Sequence, residues 1–195
     1  MTKLSESEFL AWAASRGVVP DARYVEPCSL VYDGVRGERR FWELPRRPDE
    51  LRAFLGHALS GFDRWEFCIL WPRGGGWRNS DPPHSRIEEN RASALYGGPV
   101  PDGFRGALQY ATAETEHLVN MIEARSRTAW CVTDDLFVIP DHATQFLYLD
   151  HHDVLHVKCC DAARMERFIR HMARGGYTLP VEPPDETFKR PSWMK

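Results

Sequence analysis

Residues Thr144 to Gly176 constrain the fold more than any other stretch. Thr144-Gln145-Phe146-Leu147-Tyr148-Leu149 and Val154-Leu155-His156-Val157-Lys158-Cys159 are both rich in β-formers. Asp150-His151-His152-Asp153 between them is polar and turn-like. Asp161 then stands at a helix N-cap, and Met165, Phe168, Ile169 and Met172 follow at i, i+3, i+4, i+7 spacing. Gly175 and Gly176 close the helix, because glycine tolerates the left-handed conformation of a helix stop. The stretch reads as strand, turn, strand, helix.

The same pattern is expected earlier in the chain. Tyr24 to Tyr32 is β-like, Asp33-Gly34-Val35-Arg36-Gly37 is a turn, and Arg39 to Leu44 is a second strand expected to pair with the first. Pro48 opens a helix with an apolar stripe of Leu51, Phe54, Leu55, Ala58, Leu59 and Phe62. Leu51-x-x-Phe54-Leu55-x-His57 echoes Met165-x-x-Phe168-Ile169-x-His171, which suggests a pseudo-repeat of residues 24–71 and 129–180. Other expected elements are a first helix from a Ser5–Glu8 capping box, an internal strand ending at Trp71, a strand over Ala107–Tyr110, a helix over Thr112–Arg125 and a hairpin around Asp134-Asp135. The expected fold class is α+β: a mixed, mostly antiparallel sheet with packed amphipathic helices, with two β-β-α units as a candidate arrangement. Residues 1–180 are read as one domain and 181–195 as an extended, proline-rich tail.

Composition narrows the function classes. With 25 basic and 28 acidic residues the net charge is -3, so bulk attraction to nucleic acid or anionic membrane is not expected. No run approaches the roughly 18 apolar residues of a membrane helix, and Met1 to Glu6 has no signal-peptide core; a cytoplasmic location is expected. Five cysteines without a C-x-x-C pair suggest reduced core thiols.

Three groups of residues carry candidate chemistry. His142, His151, His152 and His156, near Asp141, Asp150 and Asp153, supply metal-type ligands, but no metal-binding spacing appears. A zinc or iron enzyme is therefore the minority reading of this cluster; a polar hairpin turn is the favoured one. Arg36, Arg39, Arg40, Phe41, Trp42, Arg46 and Arg47, with Arg73, Trp77 and Arg78, suit RNA or nucleotide binding, yet interleaved Glu38, Glu43, Asp49 and Glu50 cancel much of the field. Gly74-Gly75-Gly76 lacks phosphate-loop spacing. No catalytic constellation and no cofactor motif emerges, so the chain leans away from an enzyme. The expected function is a protein-binding inhibitor, in cellular terms a bacterial immunity protein that neutralises a toxin partner. Its expected contact residues are Asp134, Asp135, Asp150, His151, His152, Asp153, Trp77 and Arg78, with the carboxylates of the turns facing a basic cleft.

Overall fold

The computed structural model describes residues 1–23, 29–34, 37–73, 77, 104–128 and 135–179. Its main feature is a seven-stranded sheet in the order β1-β6-β5-β7-β8-β9-β4, with a separate two-stranded sheet of β2 and β3. The strands are β1 (Thr2–Ser5), β2 (Val18–Pro20), β3 (Leu30–Tyr32), β4 (Glu38–Glu43), β5 (Phe67–Pro72), β6 (Gly106–Ala111), β7 (Leu136–Pro140), β8 (Gln145–Asp150) and β9 (Val154–Cys159). Every pairing is antiparallel. The helices are α1 (Glu6–Ser15), α2 (Pro48–Ser60), α3 (Thr115–Thr128) and α4 (Ala162–Arg174). The fold is α+β, as the sequence leads one to expect, and the large sheet is antiparallel throughout rather than mixed. Among the described residues no helix is long and apolar enough to cross a membrane.

Side chains alternate across a strand, and the two faces of the sheet carry two cores. On one face α2, α3 and α4 bring Leu51, Phe54, Leu55, Ile122, Met165 and Phe168 onto Leu70, Val138, Leu147 and Leu155. On the other, Phe9 and Ala13 of α1, Val18 of β2 and Leu30 of β3 cover Ile69, Trp71, Phe137 and Phe146. β5 and β7 are buried along nearly their whole length because both faces are covered.

This layering explains one departure from expectation. β3 and β4 do not form a hairpin: β3 pairs with β2, and β4 pairs with β9. Leu30 packs with the α1 layer while Trp42 packs with the helices on the opposite face, so the turn at Asp33-Gly34 carries the chain between layers. The polar strand β1 was not foreseen. Its only half-buried side chain is Leu4, and an exposed edge strand leaves little hydrophobic pattern to read.

α1 starts at the expected capping box: Ser5 Oγ accepts from Glu8 N, and the Glu8 carboxylate accepts from Ser5 N. α2 and α4 are each 13 residues long and end at Gly61 and Gly175. They meet reciprocally. The His57 and His171 rings stack with centroids 4.1 Å apart. His57 Nε2–H donates to the carbonyl of His171, and His171 Nε2–H donates to the carbonyl of His57, both at 2.9 Å. A Cβ at Gly61 would lie 2.7 Å from the His171 ring, and one at Gly175 would lie 2.4 Å from the His57 ring. Each helix therefore ends in a glycine that makes room for the other's histidine.

Cys68 and Cys159 are buried and Cys160 is half-buried, all as free thiols. Burial pushes the Cys159 thiol up to about 12 and Cys68 well above its ordinary value, which makes both inert. Cys28 and Cys131 lie outside the described residues, as do the 181–195 tail and the whole of the expected 129–133 strand.

Candidate functional site

The β8–β9 turn is built by two carboxylates that face inward. Asp150 Oδ1 accepts from the backbone N–H groups of His152 at 2.9 Å and Val154 at 3.1 Å, which folds the turn back on itself. Its Oδ2 accepts from His156 Nε2 at 2.9 Å. Burial disfavours the Asp150 charge, but these bonds, led by that from His156, hold its carboxyl below the usual range. Asp153 takes φ of 63°, a left-handed conformation that aspartate tolerates better than most residues. Its carbonyl accepts from Leu44 N at 2.8 Å, which ties the turn to the chain leaving β4.

Asp135, just before β7, is the second anchor, with its side chain fully buried. Oδ1 accepts from His151 N and from His151 Nδ1, each at 2.8 Å. Oδ2 accepts from Tyr148 OH at 2.5 Å and from Arg73 Nη1 at 3.0 Å. The backbone joins in: Arg73 N donates to the carbonyl of Asp135 at 2.7 Å. A buried carboxylate persists only when its charge is met by donors and a counter-charge, and Asp135 has both. The bond to Asp135 holds the His151 imidazole above its ordinary value, against partial burial. Burial and the neighbouring Asp135 charge push the Tyr148 phenol far up, so its proton stays in place as a donor.

The sheet register explains why these residues meet. Trp71 pairs with Phe137, Phe137 with Tyr148, Tyr148 with His156, and His156 with Phe41. The rings form a row across four of these strands: Trp71–Phe137 at 5.4 Å, Phe137–Tyr148 at 4.7 Å and Tyr148–His156 at 5.3 Å between centroids. Beyond this row, at the end of the sheet, stand Arg73, Asp135 and Asp150. Apolar stacking thus sets the floor of the site, and the charges sit where the sheet runs out.

Two nitrogens at this site differ in access. His156 is buried, uses Nε2 on Asp150, and has a buried Nδ1 without a hydrogen-bond partner. An unprotonated Nδ1 is the cheaper atom to strand, so this imidazole is a brace. His151 has its Nδ1–H fixed on Asp135, its side chain is 18% exposed, and Nε2 makes no hydrogen bond to a described residue. The His151 and His152 rings, both half-buried, lie against each other at 4.0 Å between centroids.

Of the residues expected to touch a partner, Asp135, Asp150, His151, His152 and Asp153 come together here. Of the turn carboxylates expected to face outward, Asp135 and Asp150 are found inward, spent on holding the loop, while the imidazoles of His151 and His152 are half-buried beside them. Trp77 is buried among the helix-side core, with Nε1 donating to the Gly106 carbonyl at 3.0 Å. Asp134 and Arg78 lie outside the described residues. His142 sits at the opposite end of β8, where Nδ1 accepts from Thr144; six strand residues place it about 20 Å away. The expected four-histidine cluster is therefore split, with His151 and His152 in the turn and His156 on β9. Among the described residues no group of three or more His, Cys, Asp or Glu side chains is placed to hold a metal ion. In the arginine-aromatic region Arg39 and Arg40 are exposed on edge strand β4, but Trp42 is buried, and its Nε1 donates to the Tyr177 carbonyl at 3.3 Å. Neither Trp42 nor Trp77 presents a ring for base stacking. Arg36 lies outside the described residues.

The sequence reading missed Tyr148 at this site and assigned Arg73 elsewhere. The usable signal for Tyr148 was parity: with the turn fixed at Asp150–Asp153, Tyr148 and His156 must share a face. Arg73 carries no local signal, since it reaches Asp135 only through the β5–β7 pairing. Compared with known proteins, the chain matches no family model, no curated protein and no solved structure.

Proposed function

We propose that the chain is a protein-recognition module, an inhibitor of the bacterial immunity type, which docks a toxin partner through the β8–β9 turn. The observation that supports this reading is the stiffness of the turn. Asp150 and Asp135 together accept seven hydrogen bonds, six of them from the turn and its flanking strand residues, so the His151–His152 surface costs little entropy to present. The contact chemistry differs from that expected of an acidic loop. His151 offers its Nε2 as a hydrogen-bond acceptor and the two rings offer aromatic surface, so the complementary patch is aromatic with a donor placed at that nitrogen rather than a broadly basic cleft.

The direct test is co-expression with a toxin encoded beside this gene, scored by host growth. Wild-type protein is expected to restore growth, and the double variant His151→Glu/His152→Glu to lose that protection while its circular dichroism stays unchanged. Full protection by the folded double variant would remove the turn from the contact surface. Failure of wild-type protein to protect, and to copurify with that toxin, would sink the inhibitor reading itself.

A further inference from the structure

We propose that the Asp135–His151 pair is also a general-base site, in which His151 Nε2 activates a water molecule against an acyl carbon. This goes beyond recognition and does not depend on it. Three observations converge. Asp135 is fully buried and accepts His151 Nδ1–H at 2.8 Å, which fixes the tautomer that leaves a lone pair on Nε2. A second bond, from His151 N to the same Oδ1, holds the backbone beside the carboxylate and so favours the ring position that meets it. The Nε2 edge is the one part of this network that takes no bond from a described residue and is not sealed in the interior.

The other paired histidines lack this combination. His156 has a carboxylate partner, but its remaining nitrogen is buried where no substrate reaches. His57 and His171 each commit Nε2–H to a carbonyl. His142 accepts from Thr144 and has no carboxylate. Unlike these four, His151 is a ring oriented by a buried carboxylate whose far nitrogen is not sealed in, the arrangement that lets an imidazole accept a proton and be stabilised as imidazolium. Arg73 and Tyr148, bound to the other oxygen of Asp135, are positioning residues that keep the carboxylate in place.

The step balances without a further reactant. The water oxygen bonds to the ester carbonyl carbon as one water proton passes to His151 Nε2, and the carbonyl π pair moves onto its oxygen. Collapse of the tetrahedral adduct re-forms the carbonyl and breaks the bond to the alkoxide. The alkoxide then takes the proton from the imidazolium, giving acid, alcohol and neutral His151.

The test uses the full chain and ethyl dichloroacetate, an activated ester whose alkoxide leaves too poorly for direct displacement by imidazole. Acid release is followed at constant pH. The expected rate exceeds that of free imidazole, matched to the eight histidines of the chain, by at least about tenfold, and it falls in heavy water. His151→Gln is expected to lower the enzymic rate by roughly 100-fold or more, while His142→Gln retains it. Asp135→Asn is expected to slow the reaction and to move its pH midpoint down, because the group that raises the His151 imidazole is gone. Should Asp135→Asn fail to fold, His151→Gln and the solvent isotope effect decide the matter alone. A wild-type rate no greater than free imidazole, a folded His151→Gln as active as wild type, or a rate indifferent to heavy water would each overturn the proposal. None of these outcomes bears on toxin protection, which is scored in a separate assay.

Discussion

His57 and His171 meet on the helix side of the sheet, ring on ring, and bond to backbone carbonyls and, at His171, to the Ser60 hydroxyl. His151 and His156 stand at the end of β8 and β9, and each is bonded to a carboxylate. The first pair is a packing device: its geometry depends on two glycines that leave space, and its bonds are between neutral groups. The second is an electrostatic device, in which buried charge is matched by donors. Burial, with the nearby His57 and Arg174, lowers the His171 imidazole, whereas the Asp135 bond raises that of His151. One residue type is thus shifted in opposite directions, by burial at His171 and by a carboxylate bond at His151.

The comparison breaks most sharply at Asp135. Asp135→Ala strands Arg73, Tyr148 and His151 at once, and loss of one partner from a buried charge network typically costs about 3–5 kcal/mol. Urea unfolding is expected to show a loss of that size, and a change under about 1 kcal/mol would mean that the network is dispensable. Next comes Gly175→Ala. The new methyl would lie within 2.4 Å of the His57 ring, and overpacking of this kind costs about 1–3 kcal/mol. The loss should shrink in a His57→Ala background; additive losses in that double-mutant cycle would show that the glycine does not serve the histidine.

The smallest effects are in pH, and the two sites should differ in sign. His151 has its folded value raised above the ordinary 6.5, so its contribution is full below that pH and is lost as pH rises through the folded value. His171 has its folded value lowered, so its contribution is full above 6.5 and is lost as pH falls. Both rings are partly solvated, and solvent screening keeps each effect below about 1 kcal/mol. Melting temperature against pH is expected to decline less on the alkaline side in His151→Gln and less on the acid side in His171→Gln. The same sign of change in both variants would end the comparison.

How much of this was legible in the sequence depends on range. The helix ending at Gly175, the strand 154–159 and the Ser5 cap rest on contacts within a few residues, and their side-chain periodicity showed them. The α+β class followed from those elements. The partner of β4 did not follow, because nothing local distinguishes pairing with β3 from pairing with β9. The site was half legible. Asp150, His151, His152 and Asp153 form one turn and were singled out together. The direction of the carboxylates was not foreseen, since it depends on Arg73 and Tyr148 arriving through strand pairings. Trp77, expected at a surface, is held inside by a bond to Gly106 that no short window reveals.

The order of strands also sets the order in which the protein can assemble. β1 pairs with β6, β4 with β9, and β5 with β6 and β7. The first 72 residues therefore contribute three strands to the large sheet, no two of which are neighbours. A chain emerging from the ribosome can form α1, α2 and the β2–β3 pair early, but β4 waits for residue 159. Sequence-distant pairing of this kind makes for slow folding and leaves apolar strand edges open meanwhile. The charged side chains of Glu38, Arg39 and Arg40 on that waiting strand guard it against pairing with another nascent chain.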